Sequence, residues 1–166
     1  METNGAGVAV REYVWVGDVP VAVLDGSSTP SNPTLLFVHT DHLSRPELMT
    51  NASKAAVWKA IYEPFGAVHS ITGSASLQAR FPGQWFQLEA GLHYNWWRHY
   101  DPTTGRYTQA DPLPVGTKGV GPSLYGYAGS SPLMNVDPDG RQMSGFGKIR
   151  PLPNMTPIPW PPGAPR

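Results

Sequence analysis

The chain has 166 residues and no net formal charge, 12 basic side chains balancing 12 acidic ones, so no bulk electrostatic pull toward nucleic acid or an anionic membrane is expected. Only 14% of residues are charged, against roughly 25% in an ordinary soluble domain, and Gly and Pro number 18 and 19, an unfavourable mix for helices. With no cysteine, disulfides, thiolate metal sites and thiol nucleophiles are excluded, and no secretory signal or membrane-spanning run of about 18 apolar residues is visible.

Residues 1–10 read as a disordered leader. Tyr13 to Val16, the turn pair Gly17-Asp18 and Val19 to Leu24 form a hairpin signal, with a second turn at Asp25-Gly26. Ser27 to Pro33 is a polar loop, Leu35 to His39 the next strand, and Asp41 to Pro46 a turn. Residues 47–63 admit a helix on propensity, but Val57, Lys59 and Ile61 alternate with Trp58, Ala60 and Tyr62, which favours a strand. Residues 67–79 read as a Ser/Ala/Gly loop. Gly91 to Tyr100 and Arg106 to Gln109 are strand-like on either side of the turn at Pro102 to Gly105. Pro112 to Gly121 is aperiodic, Leu124 to Tyr127 reads as a last short strand, and Asp137-Pro138-Asp139-Gly140 is a turn signature. Residues 142–166 form a Pro/Gly-rich tail, with seven prolines in 151–166, expected as disordered or polyproline-II-like. The unit that recurs is strand, tight turn, strand, which stacking must stabilise.

Several strings in this order resemble the C-terminal core of Rhs/YD-repeat proteins, the shells that enclose toxic domains in bacteria. They are His39-Thr40-Asp41-His42-Leu43, Trp58-x-x-x-Tyr62-x-Pro64-Phe65-Gly66 and Phe81-Pro82-Gly83-Gln84. Glu89 to Tyr94, Arg98-His99-Tyr100-Asp101-Pro102, Gly105-Arg106-Tyr107 and Asp111-Pro112 follow. Leu124-Tyr125-Gly126-Tyr127 and Pro132-x-x-x-x-Asp137-Pro138-Asp139-Gly140 close the series. The resemblance covers about residues 11–141. It implies an all-β fold, a partial spiralling antiparallel sheet of hairpin repeats that ends a cocoon-like shell.

In such proteins an aspartyl autoprotease often severs the domain that follows the core. The resemblance places the carboxylate pair at Asp111 and Asp137, with Arg98 nearby to keep one of them charged and the cut after Arg141. Two close carboxylates cannot both ionise cheaply, so one holds a proton as acid while the other activates water. Three departures from the family pattern stand out. Arg141 occupies a position usually held by leucine, Pro114 replaces a glycine in the first motif, and the interval between the motifs is longer. The alternative is that Asp137 to Gly140 is simply a turn and Asp111 caps a loop.

Two other clusters have bland explanations beside sharp ones. His39, Asp41 and His42 suggest a divalent metal, yet on a strand His42 points away from the other two, so a hydrogen-bonded turn is expected and no metal or other cofactor is assigned. Tyr94, Trp96, Trp97 and Tyr100 suggest a stacking platform, but cross-strand packing is the simpler expectation.

The expected function is structural, as an end segment of a toxin-enclosing shell, truncated or displaced and without a toxin domain. The rival is a self-cleaving aspartyl protease that releases the tail from Gln142 onward. Expected partners are the remainder of a shell or another copy paired through exposed β-edges, with no nucleic acid and no membrane span. A proline-rich tail that docks on an aromatic groove is a weaker third idea. Synthesis in the cytoplasm, with export by a specialised secretion system as part of a larger assembly, is the expected localisation.

Overall fold

The computed structural model describes residues 1–26 and 33–145. Among them seven strands form one antiparallel sheet in strict chain order: β1 (Glu2–Thr3), β2 (Ala9–Val16), β3 (Val19–Asp25), β4 (Thr34–Thr40), β5 (Pro46–Thr50), β6 (Ala56–Tyr62) and β7 (Val68–Gly73). A second sheet holds β8 (Trp85–Gln87), β9 (Leu92–Asn95), β10 (Arg98–Asp101) and β11 (Arg106–Tyr107). A third pairs β12 (Asn135–Val136) with β13 (Ser144–Gly145), and a 3-10 turn spans Ala128–Ser130. The chain is all-β, and its sheets are open.

Alternation places the core. Val38 lies opposite Met49, and Met49 opposite Trp58, so one face of the large sheet carries a continuous apolar row. Val23, Leu36, Met49, Trp58 and Ala60 pack there with Leu77 and Ala79, sealed by Tyr13 and Trp85. A second core, of Leu43, Phe81, Tyr100, Tyr107, Tyr127 and Ala128, lies against the small sheet.

Three of the hairpin turns, β1–β2, β4–β5 and β5–β6, share one device. The side-chain oxygen of Asn4, Asp41 or Asn51 accepts backbone N–H bonds from the residues two and four positions ahead, and the residue three ahead turns left-handed at Gly7, Ser44 and Lys54. Such Asx turns fix hairpin register without a large loop.

The strand favoured over the helix in 47–63 is present, divided into β5 and β6 by the Asn51 turn. Five expectations need correction. Residues 1–10, expected as a leader, contain β1 and the start of β2. Residues 67–79, expected as a loop, contain β7, which reads weakly because it is an edge strand exposed on most positions. Gly91 to Tyr100 is two strands and not one, because Trp96 takes a left-handed φ of 52° and reverses the chain. Leu124 to Tyr127 is no strand, since Gly126 makes only an isolated bridge to Arg106 and the chain then coils left-handed at Ala128. The polar loop (apart from Pro33) and the tail beyond Gly145 lie outside the described residues; Ser144–Gly145, expected in the tail, form β13.

Candidate functional site

The Asp137–Gly140 turn has Gly140 left-handed at its fourth position (φ 71°). It is clamped from two sides. A Cβ on Gly83, at φ 79°, would lie 1.8 Å from the Pro138 carbonyl oxygen, and one on Gly140 would lie 2.5 Å from the Asn95 carbonyl oxygen. Only glycine permits such backbone approach. Asn95 Nδ2 donates to the Asp137 carbonyl at 2.9 Å, and the Trp97 N–H to that of Asp139 at 3.4 Å.

Arg98 opens β10, and its guanidinium is buried. One nitrogen, Nη2, lies 2.8 Å from Asp111 Oδ2 and 3.2 Å from Asp137 Oδ2. Nη1 donates to the Leu124 carbonyl at 2.9 Å and Nε to that of Gly140. The guanidinium carbon stacks 3.5 Å from the Tyr107 ring centroid. Tyr107 donates its hydroxyl to Asp137 Oδ2 at 2.9 Å and accepts from Asn95 Nδ2 at 2.8 Å.

The second oxygen of Asp137 faces the chain that follows. Oδ1 accepts from the N–H groups of both Arg141 and Gln142, each at 3.0 Å. The peptide joining Arg141 to Gln142 is thus fixed against a buried carboxyl. Arg141 itself pairs with Asp139 at 3.2 Å and lies 4.7 Å over the Trp97 ring, so this arginine is anchored on two sides.

All three sequence-predicted site residues converge. Asp111 also caps its loop, accepting from the Leu113 N–H at 2.9 Å, so the capping and clustering expectations describe the same side chain. Pro114 opens a turn closed by the Thr117 N–H at 3.1 Å, and the loop still delivers Asp111 to Arg98 without the missing glycine.

Two carboxylates and one guanidinium, all nearly solvent-free, leave a net negative charge if both acids ionise. Burial pushes the Asp137 carboxyl above its ordinary value, opposed by the Tyr107 hydrogen bond and the Arg98 charge. The balance favours a proton on Asp137. Burial, reinforced by Asp137, also raises the Tyr107 phenol well above its ordinary value, so Tyr107 stays a neutral donor.

Asn95 and Tyr107 were not anticipated from sequence. A period-two reading would have found Tyr107: Arg98 and Tyr100 share one face of β10, and Tyr107 pairs with Tyr100. Asn95 pairs with Arg98 across the hairpin, a relation visible only once the turn at Trp96 is known.

The metal candidates go elsewhere. His39 Nε2 meets Thr50 Oγ1 at 2.9 Å, His42 Nε2 the Leu133 carbonyl at 3.1 Å, and Asp41 pairs with Arg45 at 3.0 Å. No group of three potential ligands forms among the described residues. Of the aromatic set, Tyr100 is fully buried, Tyr94 packs on His99 across the strands, and Trp96 and Trp97 stand exposed at the turn.

No family model matches the chain. It is 36% identical to the toxin protein Tse5 of Pseudomonas aeruginosa over 106 residues, 64% of this chain and 8% of the toxin. It is 32% identical to the double-stranded DNA deaminase toxin A of Burkholderia cenocepacia over 138 residues, 80% of this chain and 9% of the toxin. Similarity to YibJ of Escherichia coli is 39% over 119 residues, 70% of this chain and 49% of that protein. The chain thus spans under a tenth of the two toxins and about half of YibJ. Among solved structures, the TcdB2–TccC3 complex without its hypervariable C-terminal region matches 78% of this chain, 6% of its own, with a TM-score of 0.66 at 21% identity. The pore form of a Photorhabdus luminescens Tc holotoxin matches 84% of this chain, 7% of its own, with the same score and identity. Those likenesses show a shared fold.

Proposed function

We propose that this chain, which is an Rhs/YD-repeat core segment, closes one end of a toxin-enclosing shell and grips the polypeptide that leaves it. The carrying observation is the Asp137 carboxyl, fastened by Arg98 and Tyr107 on one oxygen while the other holds the N–H groups of Arg141 and Gln142. A buried clasp of this kind fixes the exit point of the chain.

The rest of the shell, or a second copy, would attach by strand pairing. Among the described residues, β1 pairs only with Ala9 and Arg11 of β2, and the far end of that strand, with exposed Val14, Trp15 and Val16, is an open edge. The isolated chain is expected to elute from size exclusion as dimers or larger species, and Val14→Lys with Trp15→Lys to shift it toward monomer. A sharp, thermostable wild-type monomer would refute the edge-pairing claim.

A second reading is favoured by the position of Gln142, whose nitrogen lies 3.0 Å from Asp137 Oδ1. In this reading the cluster hydrolyses the Arg141–Gln142 bond. Asp111, paired with Arg98, takes a proton from water as the water oxygen adds to the Arg141 carbonyl carbon. Asp137, whose protonated form burial favours, gives its proton to the Gln142 nitrogen as the C–N bond breaks. The products are a new carboxylic acid at Arg141, which loses its proton to solvent, and a new amine at Gln142, with the water-derived proton left on Asp111. Intact mass after expression decides between the two readings. Loss of residues 142–166, abolished by Asp137→Asn, supports cleavage; a full-length mass leaves only the clasp.

A further inference from the structure

We infer that Tyr107 is a positioning residue that controls how readily Asp137 serves as the proton donor; the inference rests on the self-cleavage reading and deepens it. The hydrogen-bond directions carry the argument. An amide nitrogen can only donate, so Asn95 Nδ2 occupies a lone pair of the Tyr107 oxygen at 2.8 Å. The same nitrogen gives its other hydrogen to the Asp137 carbonyl at 2.9 Å. Arg98, stacked on the ring, blocks one face of the phenol. The phenol hydrogen is thereby aimed at Asp137 Oδ2, 2.9 Å away.

A donor fixed in this way stabilises the charged form of Asp137 against the burial that opposes it. Removing it makes the proton harder to lose. If cleavage needs protonated Asp137, the alkaline limb of the rate profile is set by that group, and Tyr107→Phe moves the limb to higher pH. The worth of one hydrogen bond to a charged group corresponds to about 1–2 pH units.

The test follows self-cleavage by intact mass from acid to mildly alkaline pH in three chains: wild type, Tyr107→Phe and Tyr100→Phe. Tyr100 also loses a buried hydroxyl bond, at 2.6 Å to the Phe65 carbonyl, but touches neither aspartate. The expected result is an alkaline limb displaced upward in Tyr107→Phe and unmoved in Tyr100→Phe. An unmoved limb in folded Tyr107→Phe, or an equal shift in both variants, overturns the inference. If wild type is uncut at every pH, the self-cleavage reading fails separately. Carboxyl-carbon NMR of Asp137 in the intact chains then decides the role of Tyr107: a raised midpoint in Tyr107→Phe supports it, and an unchanged one overturns it.

Discussion

Replacing Arg98 with Met is expected to destabilise the chain by about 3–5 kcal/mol, the cost of removing one partner from a buried ion pair. The side chain fills similar space but offers no donor. Asp111 and Asp137, whose side chains are only 5% and 4% exposed, would then face each other without a cation, and the Leu124 and Gly140 carbonyls would lose their donor. One acid must take up a proton or the turn must open. Urea unfolding near neutral pH measures the loss. Adding Asp111→Asn to the Arg98→Met chain should recover part of it by removing one buried charge. A midpoint unchanged by Arg98→Met would mean that the cluster contributes nothing to the fold.

Acid should unfold the chain through His93, which is 1% exposed. Its Nδ1 meets Gln84 Oε1 at 2.8 Å, and its ring packs on Phe86 and Tyr100. Burial, aided by the neighbouring Arg80 charge, pushes the imidazole down to about 3 from its ordinary 6.5. The unfolded chain therefore binds the proton first as pH falls. Stability from the neutral ring is complete above about pH 6.5 and is lost progressively toward pH 3, a few kcal/mol in all. Urea midpoints across this window check the slope. His93→Gln, which keeps a donor for Gln84, should flatten it above the carboxylate range; an unaltered slope would assign the acid sensitivity to other groups.

The sequence reveals what short-range chemistry dictates. Alternation marks β2, β3, β4 and β6 because each has one face on the core, and the Asp-Pro strings mark the two carboxyls. It hides β7, whose Val68, Ile71 and Thr72 are all exposed, so that no alternation is imposed. It also hides the reversal at Trp96, since a left-handed tryptophan is a poor turn signal that only the surrounding pairing of β9 with β10 enforces. The site was half legible for the same reason. Arg98, Asp111 and Asp137 sit in recognisable strings, whereas Asn95 and Tyr107 join the site through bonds to Asp137, 42 and 30 positions away. Gly83 gives no hint in its own turn that the Pro138 carbonyl must rest against it.

The chain-ordered sheet also has a temporal meaning. Every strand from β1 to β7 pairs with its sequence neighbour, so a nascent chain can add each hairpin as it leaves the ribosome, with little loop entropy to overcome. The clasp follows another schedule. Arg98 must wait for Asp137, 39 residues later, on the order of 2–8 s of synthesis at about 5–20 residues per second. The large sheet is already available when the last carboxyl arrives, so translation itself acts as a delay line that lets the cluster assemble only after that sheet has been made.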